Sequence, residues 1–161
     1  MKTLPLRPNV CILLFNQEKK LFLGERDGES GVWQFPQGGA EPELTLEENV
    51  LKEIEEETGI SPKKVRIVKK LNATHEYDYA RVPDYAQGKW RGQKQTFWLV
   101  EFLGDDCDIN VQTSDAEFSG WRWCTVDEVK KYAEPKRLPG YEVPLKEFEE
   151  FTTKDTKSTK I

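Results

Sequence analysis

Cysteine is scarce in this chain and poorly spaced for a scaffold. Cys11, Cys107 and Cys124 are the three present, and none forms a CxxC pair. An odd, scattered set argues against a disulfide framework and against a zinc site. Long apolar runs are also missing. The longest near the N-terminus covers residues 10–15, too short for a membrane span or a signal peptide. Histidine is almost absent: His75 stands alone. No internal repeat appears, and no linker is long enough to divide the 161 residues. What remains is one domain, large enough to bury about 70% of the surface of its unfolded chain. The cytoplasm is the expected location.

Acid is what the chain does have, and it is concentrated. Between Glu41 and Glu57 stand eight acids (Glu41, Glu43, Glu47, Glu48, Glu53, Glu55, Glu56, Glu57) against one base, Lys52. The formal net charge is −5; this segment alone carries −7, so the remainder is +2. Like charges at i,i+3 and i,i+4 on a helix cost roughly 0.2–0.5 kcal/mol per pair. A divalent cation reverses the sign of that cost, and carboxylate oxygens are the ligands that hard ions prefer. Bases collect outside the segment, at Lys63, Lys64, Arg66, Lys69 and Lys70, and again at Lys89, Arg91 and Lys94. A basic surface beside an acidic metal site suits a phosphate-rich ligand. The plainer alternative is a solvated charged surface.

Residues 10–15 and 21–23 read as strands joined by a polar turn. Residues 27–31 (DGESG) are a loop, and 33–35 a short extended piece stopped by Pro36. Gln37-Gly38-Gly39 permits a close approach of backbone to a ligand. The spacing predicts a helix over 46–58: Thr45 and Glu48 form a capping box, Gly59 stops it, and Leu46, Val50 and Ile54 make its apolar face. Residues 65–71, 95–102 and 118–123 read as strands, and 127–132 and 141–151 as helices. The polar stretch 152–161 reads as a flexible tail beyond a single domain over 1–151. Strands and helices alternate irregularly, which predicts an α+β or mixed-sheet sandwich.

Turning about 100° per residue from Leu46 puts Glu53 at about 340°, Glu57 at about 20° and Glu56 at about 280°. Three carboxylates therefore share one arc at the edge of the apolar stripe, while Glu48 and Glu55 point away. A charged helix face is the bland account. The Pro-Gln-Gly-Gly loop favours the metal account, because it lets a backbone carbonyl approach the same ion.

The stretch Gly38 to Ile60 resembles the Nudix box, GX5EX7REUXEEXGU, with U a bulky aliphatic residue. Gly38, Glu53, Ile54, Glu56, Glu57, Gly59 and Ile60 fall in register. Two positions depart: Leu44 stands at the first glutamate and Lys52 at the arginine. The resemblance implies a Nudix-type α/β/α sandwich, a mixed β-sheet between helices. It also implies hydrolysis of nucleoside diphosphates linked to another group, with Mg²⁺ or Mn²⁺ as cofactor.

Further stretches, RPNV from Arg7, WQFPQGG from Trp33, GQKQ from Gly92 and EFSGWRW from Glu117, resemble one Nudix branch. It holds the RNA 5′-pyrophosphohydrolases and the asymmetric diadenosine tetraphosphate hydrolases. Carried over residue by residue, Glu53, Glu56 and Glu57 would be catalytic, and would hold metal with Gly38 and Glu117. Arg7 and Arg26 would contact phosphates, and Tyr77 would stack on a base. Lys136 falls beside Pro135, where the RNA enzymes bring a phenylalanine. Lys94 and Lys136 would contact the nucleic acid. The implied activity removes pyrophosphate or orthophosphate from the 5′ end of polyphosphorylated RNA. The alternatives are a diadenosine tetraphosphate hydrolase and a catalytically weak nucleotide-binding module. The expected partner is that RNA or a nucleotide polyphosphate, with no membrane and no protein partner assigned.

Overall fold

A computed structural model describes residues 3–113 and 117–158. Its centre is β1 (Leu6–Phe15), whose run Val10–Phe15 is buried on both faces. Cys11, Leu13 and Phe15 point to one side and Val10, Ile12 and Leu14 to the other. This double burial is why the sequence shows a continuous apolar run instead of alternation. Each large aliphatic side chain so buried contributes roughly 1.5–3 kcal/mol.

Around β1 lie β2 (Leu21–Arg26), β3 (Trp33–Gln34), β4 (Gln37–Gly39), β5 (Val65–Asp78), β6 (Gly92–Phe102) and β7 (Phe118–Cys124). The main sheet runs β3-β2-β1-β6-β5, with β4 on β1 and β7 on β2. β1 pairs parallel with β6 and antiparallel with β2 and β4, so the sheet is mixed. Helix α1 (Leu46–Thr58) covers one face through Val50 and Ile54. Helices α2 (Val126–Tyr132) and α3 (Leu138–Ser158) cover the other, through Val129, Tyr141, Leu145 and Phe148. The expected sandwich is what the chain forms. No helix among the described residues is long and apolar enough to cross a membrane.

Two elements outrun their sequence-based bounds the furthest. β5 continues to Asp78, past register shifts between Ile67 and Lys69 and between Lys70 and Thr74. Such bulges break the alternation that marks a strand in sequence. α3 starts at Leu138 in spite of Pro139, Gly140 and Pro144, and stays helical to Ser158, over most of the stretch expected as a tail. An internal proline costs about 3 kcal/mol; the buried row Tyr141, Leu145 and Phe148 offsets it. Phe151, its ring tilted against that of Phe15 with centroids 5.7 Å apart, carries the packing one turn further. Residues 159–161 lie outside the described residues.

Candidate active site

Helix α1 sets the site. Thr45 accepts from the Glu48 N–H at 3.1 Å, and Glu48 accepts from the Thr45 N–H at 2.9 Å, closing the capping box. Gly59 ends the helix with φ of 72°. Between these stops Glu53 and Glu57 turn inward, 9% and 1% exposed, while Glu56 is half-buried and Glu55 exposed. The helical-wheel expectation for these four carboxylates agrees with their burial.

The glycine loop packs directly on this face. A Cβ built on Gly38 would lie 2.1 Å from the Glu53 carboxyl carbon, so Glu53 keeps its place only beside glycine. The Gln37 N–H donates to Glu57 Oε2 at 3.3 Å. Glu57 Oε1 is buried without a hydrogen-bond partner among the described residues. Burial, then the neighbouring charge of Glu56, pushes the Glu53 carboxyl up to about 7. Burial, then the charges of Glu117 and Glu53, raises Glu57 well above the usual carboxylate range. A buried carboxylate oxygen with no partner, among acids that resist ionising together, fits a divalent cation. The ion would supply the charge that this cluster lacks.

Lys52 supplies part of it. Its Nζ lies 3.0 Å from Glu41 and 2.7 Å from Glu56, and the Glu56 bond foremost holds its proton above the ordinary lysine range. Glu41 is in turn fixed by buried Asn49, which accepts from the Glu41 N–H at 2.8 Å and donates to its carbonyl at 3.2 Å. The loop acid that pairs with the helix is therefore Glu41, which is exposed like Glu43 but held by Lys52. Asn49 gave no signal in the sequence, since a polar residue in a first helical turn looks like filler.

Outside the box, Glu117 precedes β7 and its carbonyl accepts from the Asp27 N–H at 2.8 Å. Arg26, at the end of β2, pairs in register with Phe118 and points to Gln34 at 3.3 Å and Glu29 at 3.5 Å. Arg7, on β1, is packed on Gly39: a Cβ there would lie 2.2 Å from the guanidinium. Two consecutive glycines thus seat a carboxylate and a guanidinium on opposite faces of β4, Glu53 on the α1 side and Arg7 on the other.

A pocket of about 420 Å³ opens on the α3 side of the sheet. Tyr77, His75, Gln95, Lys136 and Arg137 are among its walls. Tyr77 is half-buried and donates to Gln93 at 3.1 Å. Lys136, at the rim, pairs with Glu134 at 2.9 Å. Gln95 ties the pocket to the carboxylates: it donates to Gln37 at 2.6 Å, and the Gln37 N–H meets Glu57. These two glutamines belong to WQFPQGG and GQKQ, 58 residues apart in sequence. Lys94 does not join this set. Strand alternation sends it to the opposite face from Gln93 and Gln95, where it pairs with Glu76 at 3.9 Å.

The NUDIX domain family model matches residues 5–143. The chain belongs to the Nudix family. It is similar to the RNA pyrophosphohydrolase of Sphingopyxis alaskensis, 36% identical over 90% of this chain and 94% of that one. The RNA pyrophosphohydrolase of Zymomonas mobilis is 38% identical over 91% of this chain and 90% of that one. Among solved structures, an Ap4A hydrolase binary complex from C. elegans aligns with a TM-score of 0.64 at 18% identity, covering 90% of this chain and 98% of that one. The MutT protein of Methanosarcina mazei aligns with a TM-score of 0.63 at 16% identity, covering 94% and 99%. At such identities the two structures speak to the fold alone. This Nudix hydrolase acts on phosphoric anhydride bonds.

Proposed function

We propose that this Nudix hydrolase removes pyrophosphate, or orthophosphate, from the 5′ end of polyphosphorylated RNA and leaves a 5′-monophosphate. The observation that carries the reading is the pair of neighbouring glycines, with Glu53 against Gly38 and Arg7 against Gly39. The box loop is therefore approached by a group for a cation on its α1 face and by a group for a phosphate on the other. Relatives matched over nine-tenths of the chain and named RNA pyrophosphohydrolase support the choice of substrate.

Glu53, Glu56, Glu57, Glu117 and the Gly38 carbonyl would hold Mg²⁺ or Mn²⁺. Such ions neutralise developing charge on phosphoryl oxygens and acidify water. The chain's own residues do the rest. Glu53 takes the proton of the attacking water as the new P–O bond forms. The anhydride P–O bond breaks, and pyrophosphate leaves a triphosphate end. Arg7 and Arg26 hold the phosphates, Tyr77 stacks on the first base, and Lys136 contacts the chain at the pocket rim. Lys52 keeps Glu56 aimed at the cation, a task for which Lys can neutralise but cannot form the bidentate fork of Arg. Lys94, facing Glu76, is left out of the substrate set. A cytoplasmic setting accords with this activity.

The deciding experiment offers 5′-triphosphorylated RNA and diadenosine tetraphosphate at equal concentration with Mg²⁺. We expect the higher kcat/KM for RNA, falling as salt rises, because a backbone of phosphates is neutralised on binding. A higher value for the dinucleotide at both low and high salt would make the chain a dinucleoside polyphosphate hydrolase. Absence of metal-dependent turnover on either would make it a nucleotide-binding module.

A further inference from the structure

Arg7 is held in an unusual way. Among the described residues no carboxylate pairs with it; the group over its guanidinium is the Tyr85 ring, 4.8 Å from Arg7 Cζ to the ring centroid. Tyr85 comes from the connection between β5 and β6 and is half exposed, so core packing does not account for its position. The connection is nonetheless fixed. Ala86 is fully buried, the Lys89 and Trp90 N–H groups both donate to the Ala86 carbonyl, and the Arg91 N–H donates to the Pro5 carbonyl at 3.0 Å. Arg91 also pairs with Asp78. The Tyr85 hydroxyl meets that of Tyr79 at 3.3 Å and accepts from Gln93 at 3.5 Å.

We propose that Tyr85 is a positioning residue that holds Arg7 ready for the substrate's phosphates, resting on the reading of Arg7 as a phosphate contact. The chemistry explains why a ring does this better than an acid. A carboxylate would hold the guanidinium equally firmly, but it would occupy two of its five in-plane donors and cancel its charge. An aromatic face binds the guanidinium from above by its quadrupole and leaves those donors free. Gly39, with no side chain, keeps the same guanidinium close to the box loop. Arg7 is thereby oriented without being neutralised.

The test compares Arg7→Ala, Tyr85→Phe, Tyr85→Ala and Tyr85→Glu on 5′-triphosphorylated RNA, with thermal melting of each variant. Phe keeps the ring and should stay within about twofold of the parent in kcat/KM. Ala should raise KM about three- to thirtyfold with little change in kcat, as expected for a lost cation–π contact. Glu should bind substrate no better than Ala, because its carboxylate neutralises Arg7. All four should melt near the parent temperature. If Arg7→Ala loses activity while Tyr85→Ala matches the parent, the positioning role is overturned and the phosphate contact stands. If Tyr85→Phe is as impaired as Tyr85→Ala, the hydroxyl matters and the ring does not, which also overturns it. A melting point lowered in Tyr85→Ala would mark a structural residue. If Arg7→Ala itself matches the parent, the phosphate reading of Arg7 fails, and the proposal with it.

Discussion

Gly38 and Glu53 occupy nearly the same space: a methyl group on the glycine would lie 2.1 Å from the Glu53 carboxyl carbon. The contact meets the end of a side chain that can swing away, so Gly38→Ala should fold. It should still expel Glu53 from the site. A misplacement of about 1 Å can cost roughly a hundredfold in rate, and we expect a loss of that order in kcat with melting nearly unchanged. Gly39→Ala should displace Arg7 instead and fall mainly on KM. Steady-state kinetics of the two variants separates the roles, and equal kcat losses would refute the division.

Glu53→Gln and Glu57→Gln should each reduce turnover by at least about a hundredfold, the lower range for loss of a general base or its equivalent. The metal-free variants should be no less stable than the parent, since each removes a repelling charge. The parent's pH dependence follows from the same crowding. Glu53 is raised from 4.5 to about 7, and Glu57 is raised also. Between the unfolded and folded values the native state binds more protons, so this contribution to stability is present in acid and lost as pH rises through about 7. Without metal, melting temperature should fall from about pH 5.5 to about pH 8, and Glu53→Gln should flatten the slope. Divalent metal binds the deprotonated acids, so its stabilising effect should grow over the same range. A flat metal-free profile in the parent would contradict the burial argument.

Much of this was legible because local signals and tertiary demands agree. α1 carries its caps, stop and apolar repeat within one stretch, and the inward turn of Glu53 and Glu57 follows from the same period. β1 was visible as an unbroken apolar run because both of its faces are covered. Illegible features are those that need a distant partner. THEYD extends β5 only because β6 pairs with it as far as Gly92. The first turn of α3 reads as punctuation until Tyr141 meets Phe35, with ring centroids 4.5 Å apart. Lys94 looked like one of a basic cluster, and strand alternation gave it the other face. Neither Asn49's grip on Glu41 nor Tyr85's on Arg7 has any sequence periodicity to betray it.

Lys52→Arg should keep activity or raise it. Lys52 already bridges Glu41 and Glu56, and a guanidinium can span both with paired donors. Glu41→Gln should weaken Mn²⁺ binding modestly by loosening one end of the bridge. Glu43→Gln, exposed and outside it, should change neither metal affinity nor stability beyond about 0.5 kcal/mol. Titration calorimetry with Mn²⁺ reads both. A larger effect at Glu43 than at Glu41 would reverse the assignment of the loop acid.

Tyr77→Ala should raise KM more than it lowers kcat. The ring lines the pocket on the α3 side of the sheet, while the carboxylates of α1 gather on the other. Stacking on a base is worth roughly 1–3 kcal/mol. Made equally in ground and transition states, it acts as uniform binding and appears in KM. The hydroxyl bonds to Gln93 and not into the carboxylate cluster, so Tyr77→Phe should retain most of the affinity. The connection to catalysis that does exist passes through Gln95 and Gln37 to Glu57 and leaves Tyr77 aside. Kinetics on 5′-triphosphorylated RNA with both variants gives the split directly. A fall in kcat with KM unchanged in Tyr77→Ala would mean that the ring orders the carboxylate side of the sheet and not the base.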